Sequence, residues 1–345
     1  MAAGHHDHDI AMRILRPERL TLLDTEKAPN IEIKGHTQKD GRMIRATLSW
    51  ARRSYSSGSK NLSRIQSEFS VQAPQFEKAW DRRYKSSTEE IMLWMMDYVN
   101  PHISSKTVAL DVASGTGIVA RTLSPRCKKV VALDATEAML EQGRVSAAED
   151  GVANIDFELG DVVSMPFEDA SFDFVTCRLA IHHFPHPEKA VKEMVRVCKQ
   201  NGTIALIDFV TSSDSKVAQV HNDLERLRDP SHIRALSTSE LIGMFEGIDG
   251  VELVRHNVRS EKGDIDAEGN PCMFNYLNLH GWMDITQTPP DAQKRILSAV
   301  HREIAFEKTV FADEETTGFD PRYDDEGENI FLEHKWVIAM GKKTK

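Results

Sequence analysis

Residues 107–117 read Thr107-Val-Ala-Leu-Asp-Val-Ala-Ser-Gly-Thr-Gly117. The apolar part of this stretch predicts a short buried strand, and the small residues and glycines after it predict a tight turn. A helical pattern then runs from Ile118 to Leu123. Together these parts form the strand–turn–helix unit that opens many doubly wound sheets, so this stretch decides the fold class.

Further strands alternate with helices beyond this unit. The alternation predicts an α/β fold with a doubly wound, mostly parallel sheet of seven strands. In such a sheet a ligand binds beyond the carboxyl ends of the strands, where Gly115, Gly117, Asp134 and Asp161 should converge. The other predicted strands are Lys129–Leu133, Asn154–Leu159, Phe172–Cys177, Thr203–Phe209, Val251–Val258 and His334–Met340, and the predicted helices include Thr136–Ala148, with Thr136 as N-cap, and Pro187–Cys198.

Acidic residues at the strand ends indicate the kind of ligand. Gly115-x-Gly117-x-x-Ala120 satisfies a dinucleotide fingerprint, but Asp111, in the strand before the turn, would repel a pyrophosphate. A carboxylate there suits an ammonium or a sulfonium, while Asp134 can accept hydrogen bonds from two ribose hydroxyls. Asp161 could accept one from an adenine amino group. These features describe S-adenosylmethionine; nucleotide-dependent oxidoreduction is the alternative, which NAD binding would revive.

Seven short blocks follow one another between Val108 and Ser213. They are Leu110-Asp-Val-Ala-Ser-Gly-Thr-Gly117, Ala132-Leu-Asp-Ala-Thr-Glu-Ala-Met-Leu140, Gly160-Asp-Val162, Met165-Pro-Phe167, Ser171-Phe-Asp-Phe-Val175, His182-His-Phe184 and Glu193-Met-Val-Arg-Val197. In these blocks the chain resembles the class I S-adenosylmethionine-dependent methyltransferases, specifically the type 11 group related to ubiquinone and menaquinone C-methyltransferases. The resemblance implies a Rossmann-like fold and methyl transfer with S-adenosyl-L-methionine as cofactor.

The resemblance also implies a set of cofactor-binding residues. The Gly-rich turn would lie under the methionine moiety, Asp134 would hold the ribose, and Asp161 with Val162 would contact adenine. The pattern departs from the family at Ala113, where glycine is common, and at Lys199-Gln-Asn-Gly202; both departures are expected to be tolerated, the first provided that φ stays negative. The full predicted set is Asp111, Ala113, Ser114, Gly115, Gly117, Asp134, Ala135, Met139, Asp161, Val162 and Arg178.

The predicted acceptor side contains two histidines and an arginine. His183 follows the fourth strand, and His232 ends Arg228-Asp-Pro-Ser-His232, which resembles the segment that covers the cofactor in this family. Either histidine, or the neighbouring His182, could act as a general base. Arg228 could orient an acidic substrate. The alternatives are buried or capping histidines without chemistry and an Arg-Asp pair that only fastens a lid.

The acceptor itself is predicted to be a small molecule, with a quinone-like or polyketide-like aromatic as the leading class. This expectation comes mainly from the resemblance, because fold does not dictate substrate. A function from another class stays open: an S-adenosylmethionine-binding assembly factor or scaffold without turnover. Consumption of the methyl donor separates the two.

The chain is predicted to contain four parts. Residues 1–68 are polar and read as a disordered tail, within which 43–60 has the composition of a transit peptide. The protein is therefore expected in the cytoplasm, or in mitochondria if translation starts at Met43; a solvated basic linker is the alternative. Residues 69–258 form the methyltransferase domain with two N-terminal helices, 259–331 a capping insertion, and 332–345 the last strand with a basic tail.

Composition excludes several partners. Lys and Arg number 43 against 53 Asp and Glu, a net charge of −10, so no broad basic field exists for nucleic acid. The four cysteines lack C-x-x-C spacing, and the acids between 313 and 328 are typical of a solvated loop, so no metal is assigned. No apolar stretch approaches the ~20 residues that span a bilayer.

Overall fold

The computed structural model describes residues 61–74, 85–259, 276–307, 316–323, 327 and 329–345. The transit-like segment 43–60 lies outside these residues. Residues 61–74 form helix α1, so the prediction of a disordered tail is wrong for 61–68. The reason is tertiary: α1 buries Gln72 and Ala73 and makes hydrogen bonds to loops more than sixty residues away in sequence.

The seven predicted strands and the predicted helices of the central sheet lie close to their predicted positions. The helices are α2 (Lys85–Val99), α3 (Ile118–Leu123), α4 (Glu137–Glu149), α5 (Pro187–Val197), α6 (Ser215–Arg228), α7 (Thr238–Gly243), α8 (Leu279–Ile285) and α9 (Pro290–Glu307). The strands are β1 (Val108–Val112), β2 (Lys129–Asp134), β3 (Ile155–Leu159), β4 (Phe172–Arg178), β5 (Cys198–Val210), β6 (Val251–Arg259), β7 (Tyr276–Asn278), β8 (Arg322–Tyr323), β9 (Ile330–Glu333) and β10 (Lys335–Lys343). Helices α6 and α8 and strands β7 to β9 were not predicted.

A seven-stranded sheet has the order β3-β2-β1-β4-β5-β10-β6. Strands β1 to β5 pair in parallel, and β10 pairs antiparallel with β5 and β6. The predicted doubly wound, mostly parallel sheet is therefore confirmed. The strand order reverses between β1 and β4, which places a crevice at their carboxyl ends.

Both faces of this sheet are covered, because its strands alternate between two apolar layers. Leu110 and Val112 pack on one face with α5, whereas Ala109 packs on the other with α2 and α3. Near the amino end of β5, Asn201 has a φ of 64°, which asparagine tolerates as the sequence predicts.

A smaller sheet, β7-β9-β8, forms a cap together with α8 and α9. Its core includes Trp282 and Phe319, and Leu224 of α6 packs against them. The cap sheet runs to Glu333, slightly beyond the predicted boundary at 331, and His334 alone separates it from β10. None of the described helices combines the length and apolar composition that crossing a membrane requires.

Candidate active site

The turn after β1 contains three residues in the left-handed region. Ala113 has a φ of 54°, Gly115 of 55° and Gly117 of 74°. The condition under which alanine was expected to be tolerated at 113, a negative φ, is therefore not met. The neighbouring Ser114 N donates to the Leu133 carbonyl of β2 at 3.0 Å, which holds the turn against β2 in this conformation. An alanine pays about 1–2 kcal/mol for such a backbone geometry, so the turn stores local strain at the strand end.

Asp134, at the end of β2, holds the same turn. One carboxylate oxygen accepts from Gly115 N at 2.8 Å, and the other accepts from Thr136 N at 2.8 Å. Burial raises the pKa of Asp134, and the bonds from these two backbone groups oppose the rise. Because a carboxylate oxygen can accept more than one hydrogen bond, Asp134 retains acceptor capacity for a ligand while it orders the turn.

Two groups of opposite charge lie at the ends of β1 and β4. Asp111 is buried and accepts from Ala120 N at 3.0 Å; burial raises its pKa to about 7. Arg178 lies 5.9 Å from the centre of the Trp336 ring. Burial lowers the pKa of Arg178 to about 10, against the attraction of Asp111 and Asp208. Its Nε and Nη2 are buried without a hydrogen-bond partner in the described part of the chain.

Space for a ligand opens at the turn itself. A Cβ placed on Gly115 would meet no atom within 4 Å, whereas one on Gly117 would lie 2.9 Å from the Phe157 ring. Ser114 Oγ is buried and finds no partner among the residues described. The backbone at Gly115 is open to a ligand, and Ser114 and Arg178 have buried polar atoms without partners in the described part of the chain. Both features fit the binding of a polar molecule at this edge of the sheet.

The remaining predicted cofactor residues lie after β2 and β3, except Met139, which lies in the first turn of α4. Asp161 follows β3, and its Oδ1 accepts from Val163 N at 3.1 Å. Val162 and Met139 are buried. The Ala135 carbonyl accepts from Gln66 Nε2 of α1 at 2.9 Å. The structure thus brings the predicted set to one edge of the sheet, and α1 contacts it from outside.

His182 is paired with an acid that the sequence analysis did not single out. Asp208, in β5, accepts from His182 N at 3.2 Å, and its Oδ1 lies 2.9 Å from His182 Nδ1. Asp208 also accepts from Phe209 N at 2.9 Å. A carboxylate only accepts, so Nδ1 is the protonated ring nitrogen and Nε2 is left to act as an acceptor. The sequence contained one signal for Asp208, since an aspartate inside the apolar run Ala205–Val210 is unusual unless it has a partner.

His183 is buried beside His182, with the ring centres 4.1 Å apart. Its Nδ1 lies 3.1 Å from Ser231 Oγ, and the Phe69 ring of α1 meets its edge at 5.2 Å. Asn61 Nδ2 of α1 donates to the His183 carbonyl at 3.1 Å. Burial, helped by His182, lowers the pKa of His183 to about 4. The imidazole is therefore neutral at neutral pH.

His232 has a different environment. Its Nε2 lies 2.7 Å from Asn222 Oδ1, an oxygen that also accepts from Ala235 N at 2.6 Å. Nε2 is consequently the donor, and the lone pair lies on Nδ1, which is buried without a partner in the described ranges. Burial lowers the pKa of His232 far below its ordinary value. The bond to Asn222 holds segment 229–235 against α6; this segment and α6 together are named the roof.

Arg228 is held within the roof. Its Nε and Nη2 both donate to Glu225 Oε2, at 2.9 and 2.8 Å, and its guanidinium lies 4.5 Å from the centre of the Trp282 ring. Glu225 is fully buried. The contacts match the alternative of an ion pair that fastens the cap, with Glu225 in place of the anticipated aspartate.

Comparisons with known proteins agree with this geometry. A family model described as "Methyltransferase domain" matches residues 110–206. The uncharacterised methyltransferase YcgJ of Bacillus subtilis (strain 168) is 37% identical over 189 residues, which are 55% of this chain and 69% of YcgJ. The YcgJ crystal structure superposes with a TM-score of 0.60 at 29% identity, covering 74% of this chain and 99% of that one.

The fold and its strand-end site define a Rossmann-like methyltransferase. The chain belongs to the methyltransferase-domain family, and this family membership implies use of S-adenosylmethionine. The ubiquinone/menaquinone biosynthesis C-methyltransferase UbiE of Brucella anthropi is 37% identical over 119 residues, 33% of this chain and 45% of that protein. The chain thus spans about half of the length of this quinone-biosynthesis relative.

Proposed function

We propose that the chain transfers a methyl group from S-adenosylmethionine to a small-molecule acceptor of the quinone-like or polyketide-like aromatic class. The observation that supports cofactor binding is the turn after β1: it is open at Gly115, Asp134 bonds Gly115 N, and Asp111 bonds Ala120 N of the helix that follows. The acceptor class is favoured by the partial likeness to quinone-methylating enzymes.

Each predicted residue would contact a different part of the cofactor. Asp134 would accept from the ribose hydroxyls, and Asp161 with Val162 would hold the adenine. The orphaned Ser114 Oγ and the guanidinium of Arg178 are available to the polar amino-acid end. Asp111 places a carboxyl group beneath the turn, where negative charge favours a cationic ligand over a pyrophosphate.

The protein's task in the reaction is to align the acceptor, exclude water and receive a proton. S-adenosylmethionine, when bound, supplies a methyl group on a sulfonium with a built-in leaving group. The loop after β4 supplies the buried imidazole of His183, which is neutral at neutral pH. Helix α1 contacts the loop after β2 and the loop after β4 at the same time, which favours exclusion of water from the space between them.

Titration calorimetry of the full chain with S-adenosylmethionine, S-adenosylhomocysteine and NAD in parallel tests the cofactor. We expect binding of the first two and none of NAD. NAD binding alone would overturn the methyltransferase proposal. Methyl transfer is then followed with radiolabelled S-adenosylmethionine over hydroquinones, phenols, amines and aliphatic alcohols. Binding without S-adenosylhomocysteine production from any of these would favour a scaffold without turnover.

A further inference from the structure

A chain of three buried side chains joins the loop after β4 to the roof segment. His183 Nδ1 lies 3.1 Å from Ser231 Oγ, and Ser231 Oγ lies 2.5 Å from Asp229 Oδ1. The same aspartate oxygen accepts from Ser231 N at 2.8 Å, so Asp229 cannot turn away without losing that bond. Ser231 is fully buried, and Asp229 and His183 are nearly so. Neither Ser231 nor Asp229 belongs to the residues predicted from sequence.

The direction of the hydrogen bonds in this chain follows from chemistry alone. An ionised carboxylate only accepts, so the single hydroxyl proton of Ser231 is directed to Asp229. Ser231 Oγ can then offer only a lone pair to the imidazole, and His183 Nδ1 must carry the ring proton. The lone pair of the neutral ring therefore lies on Nε2, which has no hydrogen-bond partner among the described residues.

We infer that Ser231 and Asp229 are positioning residues that hold His183 as the tautomer whose Nε2 takes the proton of the methyl acceptor, and that this acceptor is an acidic hydroxyl of the phenol or hydroquinone type. The inference rests on the proposed function and deepens it. A lone pair of the acceptor oxygen forms the bond to the methyl carbon, the carbon–sulfur bond breaks with its electron pair left on sulfur, and the hydroxyl proton moves to His183 Nε2. The imidazolium formed is stabilised by Asp229 through Ser231, and its proton passes to solvent after product release.

The charges around His183 decide which acceptors such a base can serve. His182 and its partner Asp208 lie on one side, Asp229 on the other, and Glu68 with Arg64 on α1 face Asp229. Burial, reinforced by His182 and opposed by Asp229 and Asp208, lowers the pKa of His183 to about 4, which keeps the ring neutral above mild acid but makes it a weak base. A weak base assists removal of a phenolic proton far better than that of an aliphatic alcohol, because the phenol already approaches ionisation in water.

The tautomer can be measured without any acceptor. Long-range ¹⁵N–¹H correlation spectra of the full chain labelled at histidine nitrogen, with S-adenosylhomocysteine added, distinguish the Nδ1–H from the Nε2–H ring, and H183Q identifies the signals. We expect Nδ1–H at His183 in the native chain and loss of this preference in S231A. An Nε2–H ring in the native chain would overturn the inference whether or not methyl transfer is found, so failure here is distinct from failure of the proposed function.

Turnover supplies the second readout, with 1,4-hydroquinone as the probe acceptor and an aliphatic diol as its comparison. S231A should lower kcat on hydroquinone about 10- to 100-fold with little change in KM or in affinity for S-adenosylmethionine, and S231T should restore part of it. S213A, at an exposed serine outside the site, is the control and should match the native chain. Native kcat in S231A, or equal activity on the diol, would contradict the assignment; thermal unfolding and cofactor affinity show whether S231T is folded.

Discussion

The two halves of the strand-end crevice are built differently. In the cofactor half, the polar residues lie at or near the ends of their strands, and, apart from the bond from Gln66 of α1 to Ala135, the hydrogen bonds of the turn after β1 span at most 19 residues of sequence. In the acceptor half, His183 meets Ser231 across 48 residues and His182 meets Asp208 across 26. The cofactor half is thus a product of local motifs, and the acceptor half is a product of tertiary packing of the roof on the sheet.

Both halves contain buried polar atoms without a partner in the described part of the chain: Ser114 Oγ and Arg178 Nε lie in the cofactor half, and a group around Glu225 lies in the roof. The roof includes the fully buried Glu225, with His221 Nε2 at 3.9 Å and His334 Nε2 at 3.7 Å from its Oε1. These distances are too long for direct hydrogen bonds, and all three atoms lack a partner in the described part of the chain. Unpaired buried polar groups are costly, and in the roof they surround one buried carboxylate, so Arg228, the cation that pairs with Glu225, should matter most there.

The largest effect is expected on removal of the buried cation of the roof. R228M leaves Glu225 buried without its partner and should lower the free energy of unfolding by about 3–5 kcal/mol. Affinity for S-adenosylmethionine in the folded protein should stay unchanged, because Arg228 contacts the cap residue Trp282. Denaturant unfolding and calorimetry measure the two quantities.

A matched control lies on the same helix. Arg226 pairs with Asp223 at the same i,i+3 spacing, but both side chains are well exposed. R226M should therefore cost less than about 1 kcal/mol. Equal losses of unfolding free energy in R228M and R226M would show that burial does not strengthen the pair of Arg228 with Glu225. A fall in cofactor affinity in R228M would show that the roof and the cofactor half are not independent.

Mild acid should act on the halves with opposite sign. Burial lowers the pKa of His221 to about 3. Below about pH 6.5 this histidine is therefore protonated in the unfolded chain but not in the folded one. The difference lowers the free energy of unfolding by about 2 kcal/mol between pH 7 and pH 5. Asp111, with its pKa raised to about 7, binds a proton in the folded state first and so adds stability as the pH falls from 7 to 5.

Two variants separate these contributions. In H221F the loss of unfolding free energy between pH 7 and pH 5 should shrink by about 2 kcal/mol, and the phenyl ring keeps the contact with Phe319. In D111N the loss should grow by about 2–3 kcal/mol, because the opposing uptake is gone. Identical pH profiles in all three proteins, measured by denaturant unfolding at each pH, would contradict the contrast between the halves.

This contrast also explains what the sequence could predict. The strands, the Gly-rich turn and the position of Asp134 at a strand end can each be predicted from a few neighbouring residues. The structure has them at the expected positions. The partner of His182 is an aspartate inside an apolar strand, which only packing selects. The partner of Arg228 is a glutamate three residues earlier on α6; the spacing permits the pair, but only packing buries it. The left-handed φ of Ala113 could not be read from the residue type, because the bond from Ser114 N to β2 holds the turn in this conformation.

A moderate effect, confined to the cofactor half, is expected from D134A. The substitution removes the acceptor of Gly115 N and Thr136 N as well as the proposed ribose contacts. Affinity for S-adenosylmethionine should fall by more than about 1 kcal/mol, or roughly tenfold in Kd. The control is D156A. Asp156 is an exposed residue of β3 that pairs with Lys129 of β2, and its variant should bind S-adenosylmethionine like the native chain. Unchanged affinity in D134A would remove Asp134 from the site.

The smallest effect distinguishes backbone strain from contact within the cofactor half. Gly117 and Gly151 have similar positive φ values, 74° and 69°, but a Cβ at Gly117 would lie 2.9 Å from the Phe157 ring while one at Gly151 meets nothing within 4 Å. G151A should therefore show the backbone cost alone, about 1 kcal/mol in unfolding free energy. G117A should cost up to about 1 kcal/mol more, because the end of a side chain can shift, and should also weaken cofactor binding. Equal stability and equal binding in the two variants would mean that the ring moves freely, and that the turn is fixed by its hydrogen bonds to β2 rather than by its packing against β3.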